Sequence, residues 1–278
     1  MKMQNFLKMK MRKVFFIILG LFLAFLTACL ISWIPVTEHV KLDLVDGDVR
    51  AALVTDLHSC YYGPNQRWLT DRIDKEAPDV IFLGGDIFDD GLPDDNARKT
   101  IEYLVAKYPC FYVTGNHEFW SGRVDEMKAF MKSVGVAVLE GDCENITING
   151  VVMDVCGVDD PTYMSDNQWL EQLDSAYAKA DSTHFRILLT HRPEKVDVYS
   201  RYDFDLILAG HAHAGQMKIP FLNIGLFAPD QGYFAKYVDG LYTLENGSVM
   251  EVSRGLSRES TRLPRLFNRP EVVVMDLY

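Results

Sequence analysis

Phe111-Tyr112-Val113-Thr114-Gly115-Asn116-His117-Glu118 decides how this chain is read. An apolar run of strand character leads into a glycine, where the backbone turns without steric cost. The turn sets an amide oxygen beside an imidazole. Asn116 offers a neutral oxygen to a metal ion, and His117 offers a proton to a leaving group. An Asn-His pair at a turn is ordinarily a capped loop. Here it gains weight because four other apolar runs end in complementary groups. Arg50 to Thr55 ends at Asp56-Leu57-His58, and Asp79 to Leu83 ends at Gly84-Gly85-Asp86, with Asp89 behind it. Ile187 to Thr190 ends at His191, and Asp205 to Ala209 ends at Gly210-His211-Ala212-His213. Of seven histidines, only His39 and His184 do not follow such a strand, which argues against surface decoration.

Between these strands lie stretches with helical spacing, Asn65 to Lys75 and Asn96 to Lys107, followed by the ridge Val124, Met127, Phe130 and Met131. Alternating strands and helices, with polar residues at each strand's C-terminal end, predict a parallel sheet with its site along one edge. After Val136 the texture changes. Ile146-Thr147-Ile148, Asn149-Gly150 and Val151 to Cys156 read as a hairpin. Gln168 to Lys179 reads as an amphipathic helix, Leu241 to Ser253 as a second hairpin around Asn246-Gly247, and Glu271 to Leu277 as a closing strand. Residues 36–49 read as a juxtamembrane strand or linker, and residues 36–278 as one mixed α/β catalytic domain.

Residues 1–35 differ in kind. Lys2, Lys8, Lys10, Arg12 and Lys13 precede an uncharged apolar run from Val14 to Ile34. As a helix rising about 1.5 Å per residue, that run crosses a bilayer core of about 30 Å. The basic flank keeps the stub in the cytoplasm. The expectation is a single-pass cell-membrane protein with its catalytic domain outside the cytoplasm. Two alternatives stand beside a retained signal anchor: a lipoprotein signal, from the lipobox-like Leu26-Thr27-Ala28-Cys29, and a buried helix of a soluble protein.

The net charge is −11, and it is more negative still once the basic stub is set aside. Such a domain repels polyanions, so no nucleic-acid partner is expected. A small phosphate ester binds only where metal ions reverse the local charge. The five cysteines show no CxxC spacing. Buried free thiols are their plain reading; an exterior location permits disulfides, whose pairing the sequence leaves open.

Carboxylate, amide and imidazole donors without thiolates suit Mn first, with Fe or Zn as alternatives, and argue against a structural zinc site. The candidates Asp56, His58, Asp86, Asn116, His117, His191, His211 and His213 exceed what one ion needs. Two divalent ions bridged by one carboxylate use them well. In Asp56-x-His58 both side chains fall on one side of an extended chain. His211-x-His213 does the same, unless a loop turns one of them toward a neighbouring ion.

The blocks Asp56-Leu57-His58, Gly85-Asp86-x-x-Asp89, Gly115-Asn116-His117-Glu118, Thr190-His191 and Gly210-His211-Ala212-His213 resemble the signature of calcineurin-like metallophosphoesterases. Gly157-Val158-Asp159-Asp160-Pro161, Ala214-Gly215-Gln216, Ser253-Arg254-Gly255-Leu256 and Arg269-Pro270-Glu271 narrow this further. With the N-terminal apolar segment, they look like the membrane-associated bacterial branch of YkuE- and YaeI-type phosphodiesterases. The resemblance implies an α/β fold of two packed β-sheets flanked by helices, here with one N-terminal transmembrane helix. It implies that Asp56, His58 and His213 hold one ion, that Asn116, His191 and His211 hold a second, and that Asp86 bridges. It makes His117 the general acid and Asp89 the residue that orients it. The implied reaction is hydrolysis of a phosphodiester or pyrophosphate bond by a metal-bridging hydroxide. A lipid-linked phosphoester such as UDP-2,3-diacylglucosamine is the first specific substrate. The competing expectation is a metal-binding scaffold without catalysis. The chain departs from the protein-phosphatase branch at Asp90, which stands where that branch carries Arg, and this argues against phosphoprotein substrates. Ala212, Ala214 and Ser257 depart from the branch's usual Thr and glycines.

Overall fold

Strands that carry the candidate donors are apolar on both faces. Val80–Gly84, Cys110–Val113 and Leu206–Ala209 are buried at every position. Such strands need cover on two sides and belong in the middle layers of a sandwich. A computed structural model describes residues 2–219, 222, 224–259 and 264–278, with side chains from residue 9 onward. The helices are α1 (Lys2–Ile31), α2 (Arg67–Glu76), α3 (Asp95–Val105), α4 (Asn116–Trp120), α5 (Val124–Val134), α6 (Asp166–Lys179) and α7 (Val196–Tyr199). The strands run in order β1 (Val36–Leu42), β2 (Val49–Val54), β3 (Val80–Gly84), β4 (Cys110–Val113), β5 (Ala137–Val138), β6 (Asp142–Ile148), β7 (Val151–Gly157), β8 (Phe185–Leu189) and β9 (Leu206–Ala209). Short pairs β10 (Lys218–Ile219) with β11 (Ile224–Gly225), and β12 (Phe227–Ala228) with β13 (Gly232–Tyr233), precede β14 (Gly240–Thr243), β15 (Val249–Val252) and β16 (Glu271–Leu277).

Two six-stranded sheets form, ordered β1-β16-β2-β3-β4-β5 and β14-β15-β9-β8-β7-β6. Strands β2 to β5 pair in parallel, as do β7, β8, β9 and β15. Leu53, Phe82, Phe111 and Val113 of the first sheet meet Met153, Val155, Ile187, Leu189 and Leu208 of the second in the central core. The outer face of the first sheet packs on α2, α3 and α5 through Leu69, Ile73, Ile101, Leu104, Met127 and Met131. The outer face of the second packs on α6 and α7 through Trp169, Leu173 and Tyr199. The result is the expected pair of β-sheets flanked by helices. Asn149 and Gly150 close the β6–β7 hairpin with φ of 51° and 88°, the conformation a two-residue hairpin turn favours.

Three features sharpen the sequence expectations. Residues 36–42 are a strand, in register with β16 from Val36 opposite Glu271 to Leu42 opposite Leu277. Helix α1 ends at Ile31, short of Ile34, and passes through a turn to Pro35, which biases Ile34 away from the helical region. Cys143 and Cys156, directly opposed on β6 and β7, form a disulfide, whereas Cys60 and Cys110 are buried free thiols.

Along β15, Met250 and Val252 face the outer layer, so Glu251 points the other way, toward the first sheet. Its Oε2 is buried without a hydrogen-bond partner. Burial, then the carboxylates of Glu271, Asp239 and Glu38, push the Glu251 carboxyl up to about 8, opposed by Arg254. A carboxyl that ionises less readily in the folded chain costs stability as pH climbs from its unfolded value toward 8. Glu251→Gln should therefore raise Tm by several degrees at pH 8 and change it little at pH 4. Thermal unfolding of the two proteins at both pH values checks this.

Candidate functional site

At the C-terminal ends of β2 and β3 the pairing continues into the loops. Asp56 N donates to Gly85 O (2.9 Å), His58 N to Asp86 O (2.9 Å) and Ser59 N to Ile87 O (3.0 Å). These bonds hold a backbone that few residues tolerate. Asp56, His58, Asp86, His211 and His213 have φ of 51°, 48°, 51°, 65° and 46°, all in the left-handed region. Each such non-glycine residue costs on the order of 1–3 kcal/mol and persists only where its surroundings over-determine it. The extended geometry expected for Asp56-x-His58 is thus replaced by a curled loop. For His211-x-His213 the loop alternative holds, and the two imidazoles serve different groups.

Among the clusters of candidate donors, one is Asp56, His58 and His213 and a second is Asp86, His191 and His211. Within each, nitrogen and carboxylate oxygen atoms lie within 4.8 Å of one another. His191 Nε2 is 3.2 Å and His58 Nε2 3.5 Å from Asp86 Oδ2, so that oxygen faces both groups. His213 Nε2 is 3.9 Å and His191 Nε2 4.0 Å from Asp56 Oδ1. His58 Nε2, Asp86 Oδ2, Asn116 Oδ1 and His191 Nε2 are all buried without a hydrogen-bond partner. Buried polar atoms are normally satisfied, and a shared cation satisfies these. The donor set therefore fits divalent metal ions.

The outer nitrogens of the imidazoles are held by neighbours. His191 Nδ1 donates to Gly84 O (2.8 Å), which fixes the ring with Nε2 turned toward Asp86. His58 Nδ1 meets Asp89 Oδ2 at 3.0 Å, and His211 Nε2 meets Asp230 Oδ2 at 3.0 Å. His213 Nδ1 lies 3.1 Å from Ser257 Oγ. Burial, then the nearby Arg265 guanidinium, hold the His213 imidazole well below its ordinary range, so it stays in the neutral form that binds metals. Burial would raise the Asp86 carboxyl, but the His191 and His58 imidazoles hold it well below the usual carboxylate range.

His117 stands at the mouth of the site, one-fifth exposed. Its Nδ1 is 2.7 Å from Asp90 Oδ1 and 3.5 Å from Asp89 Oδ2. Asp89 thus sits between two imidazoles, closer to His58, and Asp90 makes the shorter contact to His117. The His117 ring also packs on Trp120, with centroids 4.8 Å apart. Asn116 opens α4 with its amide turned inward while His117 turns out, as adjacent side chains at a helix start do.

Other residues at the site drew no role from sequence. Glu118 is fully buried and accepts from the backbone N–H groups of Gly115 (2.8 Å), Asp86 (3.0 Å), Ile87 (2.8 Å) and Phe88 (3.1 Å). It stitches the loop of Asn116 to the loop of Asp86; burial and then the Asp86 charge push its carboxyl up to about 7. Arg192, buried, pairs with Asp160 and Asp230 and reaches His211 Nε2 at 2.9 Å. Glu118 and Arg192 sit inside or beside the quoted blocks, so adjacency was their one signal. Asp230 lies between β12 and β13, where nothing in the sequence marks it.

Gly115 is required by close approach: a Cβ there would stand 2.6 Å from the Asp86 backbone nitrogen. Gly115→Ala should displace the Asp86 loop and sharply reduce bound metal, read by elemental analysis of purified protein. Glu118→Gln keeps the volume but turns an amide N–H₂ toward backbone donors. Leaving such groups unpaired costs about 1–3 kcal/mol, so Tm should fall by several degrees; an unchanged melting curve would show that Glu118 does not hold the two loops together.

The sequence profile of the family described as Calcineurin-like phosphoesterase matches residues 49–215, more than half of the chain. The phosphodiesterase YaeI of Escherichia coli is 27% identical over 90% of this chain and 90% of its own length. The metallophosphoesterase YkuE of Bacillus subtilis is 29% identical, covering 74% of this chain and 70% of its own. A Helicobacter pylori metallophosphoesterase is 28% identical over 78% of this chain, which spans only 56% of that relative's length. Among solved structures, TT1561 of Thermus thermophilus superposes with a TM-score of 0.51 at 12% identity, over 76% of this chain and 91% of its own. With the profile spanning the strands and loops that gather Asp56, Asp86, Asn116, His191 and His213, the chain belongs to the calcineurin-like metallophosphoesterases, a family of metal-dependent phosphohydrolases.

Proposed function

We propose that this chain is a membrane-anchored phosphodiesterase with a dinuclear centre. Asp56, His58 and His213 would hold one ion, Asn116, His191 and His211 the other, and Asp86 both. The observation that carries this is the set of four buried, unpartnered donor atoms, His58 Nε2, Asp86 Oδ2, Asn116 Oδ1 and His191 Nε2. Two divalent ions, when bound, supply charge neutralisation at the phosphoryl oxygens and an activated water at neutral pH. Asp56 and Asp86 also hold backbone: Asp56 accepts from His211 N (3.1 Å) and Asp86 Oδ1 from His117 N (2.8 Å), so each carboxylate fixes the loop of its neighbours. His117, with Nδ1 turned to Asp90 and Asp89, presents Nε2 to a leaving-group oxygen and gives it a proton.

The membrane placement rests on two supports. Met9–Ile31 is long enough to cross a bilayer, it is uncharged and apolar from Val14 onward, and its apolar window is not buried against the rest of the chain. A helix apolar all round with no protein cover has lipid as its natural solvent. The Cys143–Cys156 disulfide suits an oxidising compartment, which agrees with a basic stub inside and the domain outside. Because β1 starts opposite Glu271 and β16 runs antiparallel to β2, the anchor reaches the domain at the edge where the donor-bearing strands end. A phosphoester carried by a lipid or an envelope component is the substrate class this arrangement serves.

Full-length protein in detergent should hydrolyse bis-p-nitrophenyl phosphate, lose activity to a chelator and regain it with Mn. Asp86→Ala should lose both ions and His191→Ala mainly one; two ions retained in Asp86→Ala would contradict the bridging role. Inactivity with full metal content would favour a scaffold. His117→Ala should keep its metals and lose about 10²–10⁴-fold in rate on an alkyl phosphodiester, the usual worth of a general acid. On a p-nitrophenyl ester, whose leaving group departs as an anion, the loss should be far smaller. Equal losses on both esters would remove His117 from that role.

A further inference from the structure

A cavity of about 700 Å³ lies at the foot of α1, away from the metal donors themselves. Trp33, Ile34 and Pro35 form one wall, and Trp68, Arg72 and Lys75 of α2 form another, with Tyr61 and Arg258 between. Trp68, Arg72 and Lys75 fall at i, i+4 and i+7 and so share one helix face. Trp33, Ile34, Tyr61 and Trp68 are each about half exposed. Tryptophan and tyrosine so placed, next to a membrane-crossing helix, occupy the depth of lipid headgroups.

The charges here are not balanced within the pocket. Asp71 pairs with Arg67 (3.5 Å), and Glu76 faces His39 (3.4 Å). Among the described residues Arg72 reaches Thr37 Oγ1 (3.4 Å), and its Nε is buried without a hydrogen-bond partner there. Lys75 is exposed and makes no ion pair among the described residues. Arg258 and Arg269 are engaged in fixing the wall: Arg258 donates to Trp33 O (3.0 Å) and Arg269 to Ile34 O (2.9 Å), which ties the anchor's foot to the domain. Arg72 and Lys75 are left to meet an anion beside an aromatic surface.

We propose that this pocket binds the phosphate headgroup of an anionic membrane lipid. Arg72 and Lys75 take the phosphate, and Trp33 and Trp68 lie against the upper acyl chains. The proposal rests on the anchored reading above, since only a membrane brings lipid to this depth. Two lining residues lie close in sequence to the metal donors. Tyr61 is three residues beyond His58, and Ser257, which precedes Arg258, touches His213.

The test is isothermal titration of full-length protein in a neutral detergent, with a chelator present so that the metal centre takes no phosphate. Dihexanoyl phosphatidic acid, dihexanoyl phosphatidylcholine and inorganic phosphate are the three probes. Phosphatidic acid should saturate one site at least tenfold more tightly than either of the others. Arg72→Ala and Lys75→Ala should each weaken it about tenfold, and Trp68→Ala should weaken it as well. Lys75 is exposed, so its variant isolates charge from folding, and an unchanged Tm verifies that. Equal affinity for phosphatidylcholine, equal affinity for phosphate alone, or unaltered binding by both cationic variants would overturn the pocket. Failure of the anchored reading shows separately, as protein that does not float with phosphatidylcholine liposomes, and failure of the phosphodiesterase reading shows as metal-loaded protein that leaves bis-p-nitrophenyl phosphate intact.

Discussion

One carboxylate has two duties. Asp86 Oδ1 accepts from the backbone of His117 (2.8 Å), while Oδ2, without a hydrogen bond, faces His191 and His58. The first contact locks the loop after β4 to the loop after β3. The second brings imidazoles from opposite sheets onto one oxygen. His58 follows a strand of the first sheet and His191 a strand of the second, so the two-sheet sandwich is held at its rim by the same group that organises the site. An uncompensated charge in so buried a place would cost several kcal/mol, and the surrounding imidazoles and backbone donors keep it anionic.

The rim is strained, and the rest of the fold sustains that strain. Left-handed backbone at Asp56, His58, Asp86, His211 and His213 would relax if the loops were free. They are not free, because strands buried on both faces feed each loop and hydrogen bonding between β2 and β3 continues past their ends as far as Ser59 and Ile87. Glu118 adds four backbone bonds beneath Asp86 and Asn116. Local backbone cost is thus offset by packing in the two layers below, and the donor atoms meet with little freedom left to lose on binding an ion.

Much of this was legible in the sequence, for a physical reason. A strand buried on both faces must be continuously apolar, so a polar residue at its end stands out, and Asp56, Asp86, Asn116, His191, His211 and His213 all stand there. The hairpin at Asn149-Gly150 was legible because its turn demands positive φ. Contacts between distant segments were not. Nothing local pairs β1 with β16 or brings Asp230 to His211, although the Asn149-Gly150 turn does fix the register that sets Cys143 opposite Cys156. The curl at Asp56-x-His58 was hidden as well: residue spacing presumes a regular backbone, and tertiary bonds impose an irregular one. The Asp90 contact to His117 escaped for a related reason, since in an irregular loop neighbours in sequence need not diverge.

The parallel pairing of β1 with β16 has a consequence for how such a site meets its substrate. A strand entering from an anchor can join a sheet edge in either direction. Had β1 run antiparallel to β16, the anchor would have met the sheet at the end where β2 begins, the far side from the donors. Because Val36 lies opposite Glu271, and Glu271 sits where β2 ends, the chain enters beside Asp56 and His58. Arg258 and Arg269 then bind the carbonyls of Trp33 and Ile34, so the approach is held and not merely tethered. A flexible tether would let the metal edge face any direction and would leave capture of a lipid-borne phosphoester to diffusion. On the anchored reading proposed above, a clamped one would confine that edge near the bilayer surface and convert part of the search into an intramolecular problem of orientation. The direction of one edge strand thus links the fold to the substrate class proposed above.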